Sequence, residues 1–396
     1  MNVAGKQALA DQARPAPAAD APESKTPFRF YDNRQKYLAF VNTCNEKSAI
    51  ARRASQELSH VRPSPPALRI FDAGMGDATV LSRLMRSTHR MFPHVPLMVV
   101  AKEISLEDVR LGLEKMPDRF HEHPATVLVI TNLNYAEAPR LMPRDMSSAA
   151  ALNWQEVKLT GSSAHEYGEQ IEELERTLDY GWATKPSSRS GNPIYARPSV
   201  LVIYREDQKF LLDSIIPKPG RIFENYDLIV ASQPWRARMS AEFKAQKVLA
   251  PLARSLGPGG RLLAIQSCGN DPGLEIIQKL WPGENPFRVD RHALLAALKS
   301  ELGRDARDFT LTALPDEKAI FRYDMHTLPS EISDRIGTST LYAAWNAAIY
   351  VNQIEDERLD SVMQNGAYLN ATQTVLQKHS GLWFNDETFV VARRKP

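Results

Sequence analysis

The segment Leu68-Arg-Ile-Phe-Asp-Ala-Gly-Met-Gly-Asp-Ala-Thr-Val-Leu81 constrains this chain more than any other. It runs from an apolar strand through an acidic residue and a small-residue turn into a helix start. That order brings a backbone close to a nucleoside-bearing cofactor at the C-terminal edge of a parallel sheet. Gly74 and Gly76 can take φ > 0 and permit close approach, because no Cβ stands in the way. Asp77 occupies the position of a helix N-cap, ahead of the apolar periodic run Val80, Leu81, Leu84 and Met85. Asp72 lies at the strand end, where its carboxylate can face a ligand.

The spacing argues against a nicotinamide dinucleotide. The third glycine of that fingerprint would fall at 79, which is Thr79. A carboxylate just before the first glycine also serves a pyrophosphate badly, whereas a phosphate-free cofactor with a cationic centre tolerates it. The segment resembles the first motif of class I S-adenosylmethionine-dependent methyltransferases, an acidic residue followed by G-x-G-x-G. Ala78 replaces the third glycine, and alanine suits the turn if φ there is negative. The resemblance implies S-adenosyl-L-methionine as cofactor, bordered by Asp72, Ala73, Gly74, Gly76 and Asp77. It also implies an α/β fold: a Rossmann-like seven-stranded, mostly parallel sheet with an antiparallel last strand and helices on both faces.

Two further segments carry the same resemblance. Leu97-Met-Val-Val-Ala-Lys-Glu-Ile-Ser105 is an apolar run ending in Glu103, next to Ile104. A carboxylate ending the second strand can accept hydrogen bonds from both ribose hydroxyls. A solvated Glu at a helix start is the alternative, since Ser105-Leu-Glu-Asp108 also reads as a capping box. Asn225-Tyr-Asp-Leu-Ile-Val-Ala-Ser-Gln-Pro-Trp235 is a strand running into a turn, as the fourth strand does beside the methyl group in many methyltransferases. The resemblance places Ser232 against the cofactor and Asn132, after the strand Ala125–Thr131, at the adenine edge. Ser232-Gln-Pro-Trp235 looks like the Asp/Asn/Ser-Pro-Pro-aromatic turn of amino-group methyltransferases. That makes Gln233, Pro234 and Trp235 candidate acceptor contacts and nitrogen one acceptor atom; Gln233 departs from the usual proline.

Around this core the chain divides into a Pro-rich segment 1–27 that reads as a disordered tail, a helical cap over 28–66, and a catalytic domain over 67–396. The domain carries substrate-side insertions at about 136–222 and 326–382. Tyr31, Arg34 and Tyr37 belong to the cap and could touch cofactor or substrate. Within the first insertion, 165–182 reads as one amphipathic helix, 187–193 as a loop, and 200–204 with 210–216 as a strand pair. Helix over 241–256 stops at Gly257-Pro-Gly-Gly260 before the fifth strand. Leu341, Trp345 and Ile349 form an aromatic-rich stripe that reads as core or a homodimer contact.

Composition narrows the partners. A net charge of +2 with mixed signs shows no basic stripe, which argues against nucleic acid. Only Cys44 and Cys268 are present, so neither a disulfide framework nor a cysteine metal site can form, and His121-Glu-His123 reads as a loop beside Pro124. No apolar run reaches the roughly 18 residues of a membrane span. The expected protein is a cytoplasmic methyltransferase without a metal, acting by direct displacement on a small-molecule acceptor. The alternatives are an aminopropyl or carboxymethyl transferase using the same cofactor, or a non-catalytic S-adenosylmethionine-binding interaction protein.

Overall fold

The structure is a computed structural model and describes residues 34–187, 193–221, 224–327, 329–332 and 336–395. The expected tail and Tyr31 lie outside the described residues. The first three strands are β1 (Leu68–Asp72), β2 (Leu97–Lys102) and β3 (Thr126–Thr131). Each is apolar on both faces, the pattern of a strand covered on two sides. Adjacent residues go to opposite layers: Phe71, Val100 and Val129 join one core cluster, while Ile70, Val99 and Leu128 join the other.

The insertion supplies β4 (Asn153–Leu159), β5 (Thr184–Pro186), β6 (Pro193–Tyr195) and β7 (Ser199–Arg205). Then come β8 (Tyr226–Ser232), β9 (Leu256–Ser267), β10 (Phe309–Thr312), β11 (Ile320–Asp324) and β12 (Trp383–Arg393). The main sheet runs β10-β12-β9-β8-β1-β2-β3-β7-β4, with β11 also pairing β12. Strands β3, β2, β1, β8 and β9 are parallel, and β12 is antiparallel to β9. This is the Rossmann-like sheet expected, but it has ten strands rather than seven. Because β2 and β3 build out from one side of β1 while β8 and β9 build out from the other, a crevice opens between β1 and β8 at their C-terminal ends.

The insertion departs from expectation. Strand β7 is buried along its length, so it needs a neighbour on both sides; it lies antiparallel to β3 and parallel to β4. Residues Lys209–Leu212, expected in a strand, are helical, and Phe210 is 98% exposed. The expected helix over 165–182 is broken into Ala164–Glu172 and Glu175–Gly181. Part of the expected loop at 187–193 borders the β5–β6 hairpin. Helix after Ser240 passes through a π turn at Ala245–Leu249, next to Pro251, which has no N–H to continue regular bonding. Of His121-Glu-His123, expected in a loop, His121 and Glu122 end the short helix Pro117–Glu122, while His123 follows it and stacks on His89 at 4.9 Å.

Helices α1 (Arg34–Thr43) and α2 (Glu46–Glu57) precede β1, in the segment expected to be helical. A third core cluster joins Phe40 of α1 to Tyr323, Trp345, Ile349 and Phe384, so α1 packs with the helix Thr338–Val351 and with β11 and β12. The Leu341, Trp345 and Ile349 stripe is therefore internal core. Among the described residues, no helix is long and apolar enough to cross a membrane.

Candidate functional site

A cleft of about 990 Å³ occupies the crevice at the C-terminal ends of the parallel strands. Its walls come from the turn after β1 (Gly74, Gly76), the end of β2 (Lys102, Glu103, Ile104), the segment after β3 (Asn132 to Tyr135) and the turn after β8 (Ser232 to Trp235). Tyr37 of α1 and Tyr350 of the helix Thr338–Val351 close it on one side, and the β5–β6 hairpin borders it on another. Pockets for small ligands span ~300–1,000 Å³, and this cleft lies at the upper end of that range. A smaller cavity of about 140 Å³ adjoins the same turn and is lined by Glu46, Lys47, Asp72 and Asp77 among others.

The glycine turn is built around backbone. Gly76 sits at φ +52, and a Cβ there would stand 3.4 Å from the Tyr37 hydroxyl. Gly74, expected to share that freedom, is not in the left-handed region; a Cβ would meet only the Ser232 carbonyl at 3.9 Å. Ala78 takes φ +57 rather than a negative value. That conformation costs an L-residue roughly 1–2 kcal/mol. Helix α3 (Thr79–Met91) starts after Ala78, so Asp77 is not its N-cap. Asp77 instead accepts from the Thr79 N–H (3.1 Å) and hydroxyl (2.8 Å) and pairs with Lys47 at 2.6 Å. Lys47 also donates to the Tyr37 hydroxyl at 2.7 Å, tying the cap to the turn. Arg34 opens α1.

Glu103 is buried at the end of β2 and is no solvated helix-start residue. Its Oε2 accepts from the Gly76 N–H (2.8 Å), and its Oε1 from those of Ile104 (2.7 Å) and Ser105 (2.8 Å). Ser105 caps helix α4 (Leu106–Leu113) through the Asp108 N–H. The Ala73 N–H bonds the Val230 carbonyl, and Asp72 accepts from the Gly74 N–H at 3.1 Å. Burial, with Glu103 nearby, pushes the Asp72 carboxyl up to about 7. Asp108 rises to about 6 for the same two reasons, and burial lifts Glu46 to about 7. Around this end of the cleft and the adjoining cavity, the buried or half-buried carboxyls of Glu46, Asp72, Asp77, Glu103 and Asp108 outnumber the cations Lys47, Lys102 and Lys115.

Three expected contacts are corrected. Asn132 borders the cleft, but its amide donates to the Gly181 and Arg197 carbonyls (both 2.9 Å) and accepts from the Ser199 N–H (2.8 Å). It anchors β7, and both its donors are unavailable to adenine. Gln233, at φ +49, turns its amide away to Ser267 and Asp386 (both 3.1 Å), which sequence alone did not reveal. Trp235 is 6% exposed, packs in the core and donates its indole N–H to Gln266 at 2.8 Å. The Pro234 carbonyl already accepts the Tyr135 hydroxyl at 2.9 Å. The turn thus offers no open aromatic face, and its Pro234 carbonyl already carries one donor.

Residues missed in the sequence include Lys102, Asp108, Tyr135 and Tyr350, all of which line the cleft. The signal for Lys102 was a lone cation closing an otherwise apolar strand beside Glu103. Tyr350 carried no such signal, because its place depends on the packing of a distant helix. Among the described residues, no group of His, Cys, Asp and Glu is arranged to hold a metal ion.

No family model matches the chain, and no curated protein matches it. Solved methyltransferase structures do match. The Haemonchus contortus phosphoethanolamine N-methyltransferase 2, in complex with S-adenosyl-L-methionine, is 12% identical over 95% of this chain and 62% of its own, with a TM-score of 0.32. Geranyl diphosphate methyltransferase, in complex with GPP and sinefungin, is 12% identical over 88% of this chain and 78% of its own, with a TM-score of 0.30. The StiE O-MT segment is 12% identical over 87% of this chain and 73% of its own, with a TM-score of 0.31.

Proposed function

We propose that this protein is an S-adenosylmethionine-dependent methyltransferase that acts by direct displacement on a small-molecule acceptor. The observation that carries this reading is the acid-rich end of the cleft beside Gly76. Asp72, Asp108 and Glu46 are held there with raised pKa values, chiefly by burial. A sulfonium and an ammonium would supply the missing positive charge, whereas a pyrophosphate would be repelled. Gly76 lines the cleft without a Cβ, so a cofactor could approach its backbone closely beside Tyr37. Glu103, Ile104, Asp72, Ala73, Gly74 and Ser232 would border that cofactor, with Glu103 toward the ribose.

The bound cofactor supplies an electrophilic methyl group; the protein's part is to place an acceptor in line behind it and keep water out. Tyr37 of α1, Tyr350 of the helix Thr338–Val351 and the β5–β6 hairpin would serve the second task. Calorimetry with S-adenosylmethionine and its decarboxylated form tests the reading. We expect the intact cofactor to bind. Glu103→Ala should weaken it about ten- to hundredfold, equivalent to roughly 1.5–3 kcal/mol. Failure of the wild-type protein to bind would reject the cofactor, and a preference for the decarboxylated form would favour aminopropyl transfer.

A further inference from the structure

We propose, on the basis of that methyltransferase reading, that the acceptor is an apolar small molecule bearing an anionic oxygen group, and that Lys102 receives that group. Lys102 closes β2, and its side chain lines the cleft. Its Nζ lies over the Tyr135 ring at 4.8 Å. That ring is fixed from the other side, because its hydroxyl donates to the Pro234 carbonyl at 2.9 Å. Cation and platform are therefore held together where the strand ends meet the acceptor side of the crevice.

The lysine lacks the partner a structural lysine would have. Lys47 pairs with Asp77, Lys115 bonds the Asp77 and Leu111 carbonyls, and Lys244 bonds the Ala237 carbonyl. Among the described residues, no carboxylate lies within 4.0 Å of the Lys102 Nζ. The nearby acids are engaged elsewhere. Glu103 accepts three backbone N–H groups, and Glu137 accepts from Asn134, Tyr195 and the Arg144 N–H. Desolvation lowers the Lys102 pKa, so its charge is costly until an anion arrives.

The surroundings define the rest of the acceptor. Leu133, Tyr195, Ile194, Pro198 and Met239 line the same cleft and provide an apolar wall. Lys185 of β5 adds a second cation on the insertion side. The cleft is thus divided: buried acids face the cofactor, and Lys102 stands with aromatic and aliphatic side chains beyond them. An aryl or alkyl carboxylate matches that second part in both charge and polarity.

The test uses the full-length protein saturated with S-adenosylhomocysteine. Benzoate, 4-hydroxycinnamate and octanoate are each compared with the corresponding neutral amide by calorimetry or ligand-detected NMR. At least one carboxylate should bind about ten- to hundredfold more tightly than its amide, as expected for a charge-assisted contact. Lys102→Met should erase that preference while leaving S-adenosylhomocysteine affinity unchanged, and Lys102→Arg should retain part of it. Equal binding of acid and amide, no binding by any carboxylate at millimolar concentration, or a preference that survives Lys102→Met would each overturn the proposal. Failure of the wild type to bind S-adenosylhomocysteine would count against the cofactor reading, and is read separately before any acceptor probe is added. If Lys102→Met does not fold, the Lys102→Arg protein and the wild-type acid–amide comparison still decide.

Discussion

The turns after β1 and β8 stand on the same crevice and use their residues in opposite ways. The Gly74–Asp77 turn presents backbone to the cleft, and its polar neighbours brace it from behind: Glu103 holds the Gly76 N–H and Lys47 holds Asp77. The Ser232–Trp235 turn is richer in polar and aromatic groups, yet those groups face into the protein. Gln233 reaches Ser267 and Asp386, Trp235 reaches Gln266, and the Pro234 carbonyl is covered by Tyr135. A residue type that could recognise a ligand does so only if its hydrogen-bonding capacity is left over once the fold has used it. The N–H groups of the first turn are also used within the fold, so what it leaves to the cleft is a backbone without side chains at Gly74 and Gly76, whereas the second turn is a structural wall of side chains already partnered.

The contrast can be broken at four points. Trp235→Ala should have the largest effect, destabilising the fold by about 3–5 kcal/mol through loss of a buried ring. Affinity for S-adenosylhomocysteine per folded molecule should stay the same. Thermal denaturation with calorimetry checks both, and a stable variant with weak acceptor binding would restore Trp235 as a ligand contact. Gly76→Val should come next. A β-branched side chain at φ +52, built toward the Tyr37 hydroxyl, should weaken cofactor binding by about a hundredfold or more, near 2.7 kcal/mol. Normal binding would mean that the cofactor lies elsewhere.

Gln233→Ala should cost about 1–3 kcal/mol of stability, because Asp386 loses a donor in a buried setting. Acceptor selectivity should not change, and denaturant titration alongside turnover tells the two apart. The last test concerns Asp72 and is read from a pH slope. Its pKa is about 7 in the fold against an ordinary value of 3.8, so the folded state keeps a proton that the unfolded chain has lost. Stability from this group therefore falls as pH rises from about 4 to 7. Asp72→Asn should remove that slope, measured as the difference in denaturation midpoint between wild type and variant. Cofactor affinity should move the other way and tighten as the carboxylate ionises. A pH-independent difference between the two proteins would exclude a raised Asp72 pKa.

Much of the core was legible because its information is local. Apolar runs ending in Asp72, Glu103 and Ser232 announced strands whose tips gather at one edge, and the turn between Asp72 and Thr79 announced close backbone approach. The periodicity of Leu341, Trp345 and Ile349 announced a buried face. The insertion was less legible. Strand β4 is an edge strand of mixed polarity, and its place depends on β7, which follows it by some forty positions along the chain and needs a neighbour on its far side.

Sequence by itself determined the central apolar strands, the glycine turn and the acid that follows β2, since strand pattern and backbone freedom are written in neighbouring residues; the Rossmann-like order of those strands was implied only by the resemblance. Only the tertiary structure decided which polar groups remain for a ligand. Asn132, Gln233 and Trp235 looked available until Gly181, Asp386 and Gln266 were brought beside them, whereas Lys102 looked like an ordinary strand-end lysine until no carboxylate was. The physical reason is that a hydrogen bond or an ion pair is a property of two groups, and most of these partners are separated by dozens of residues or more.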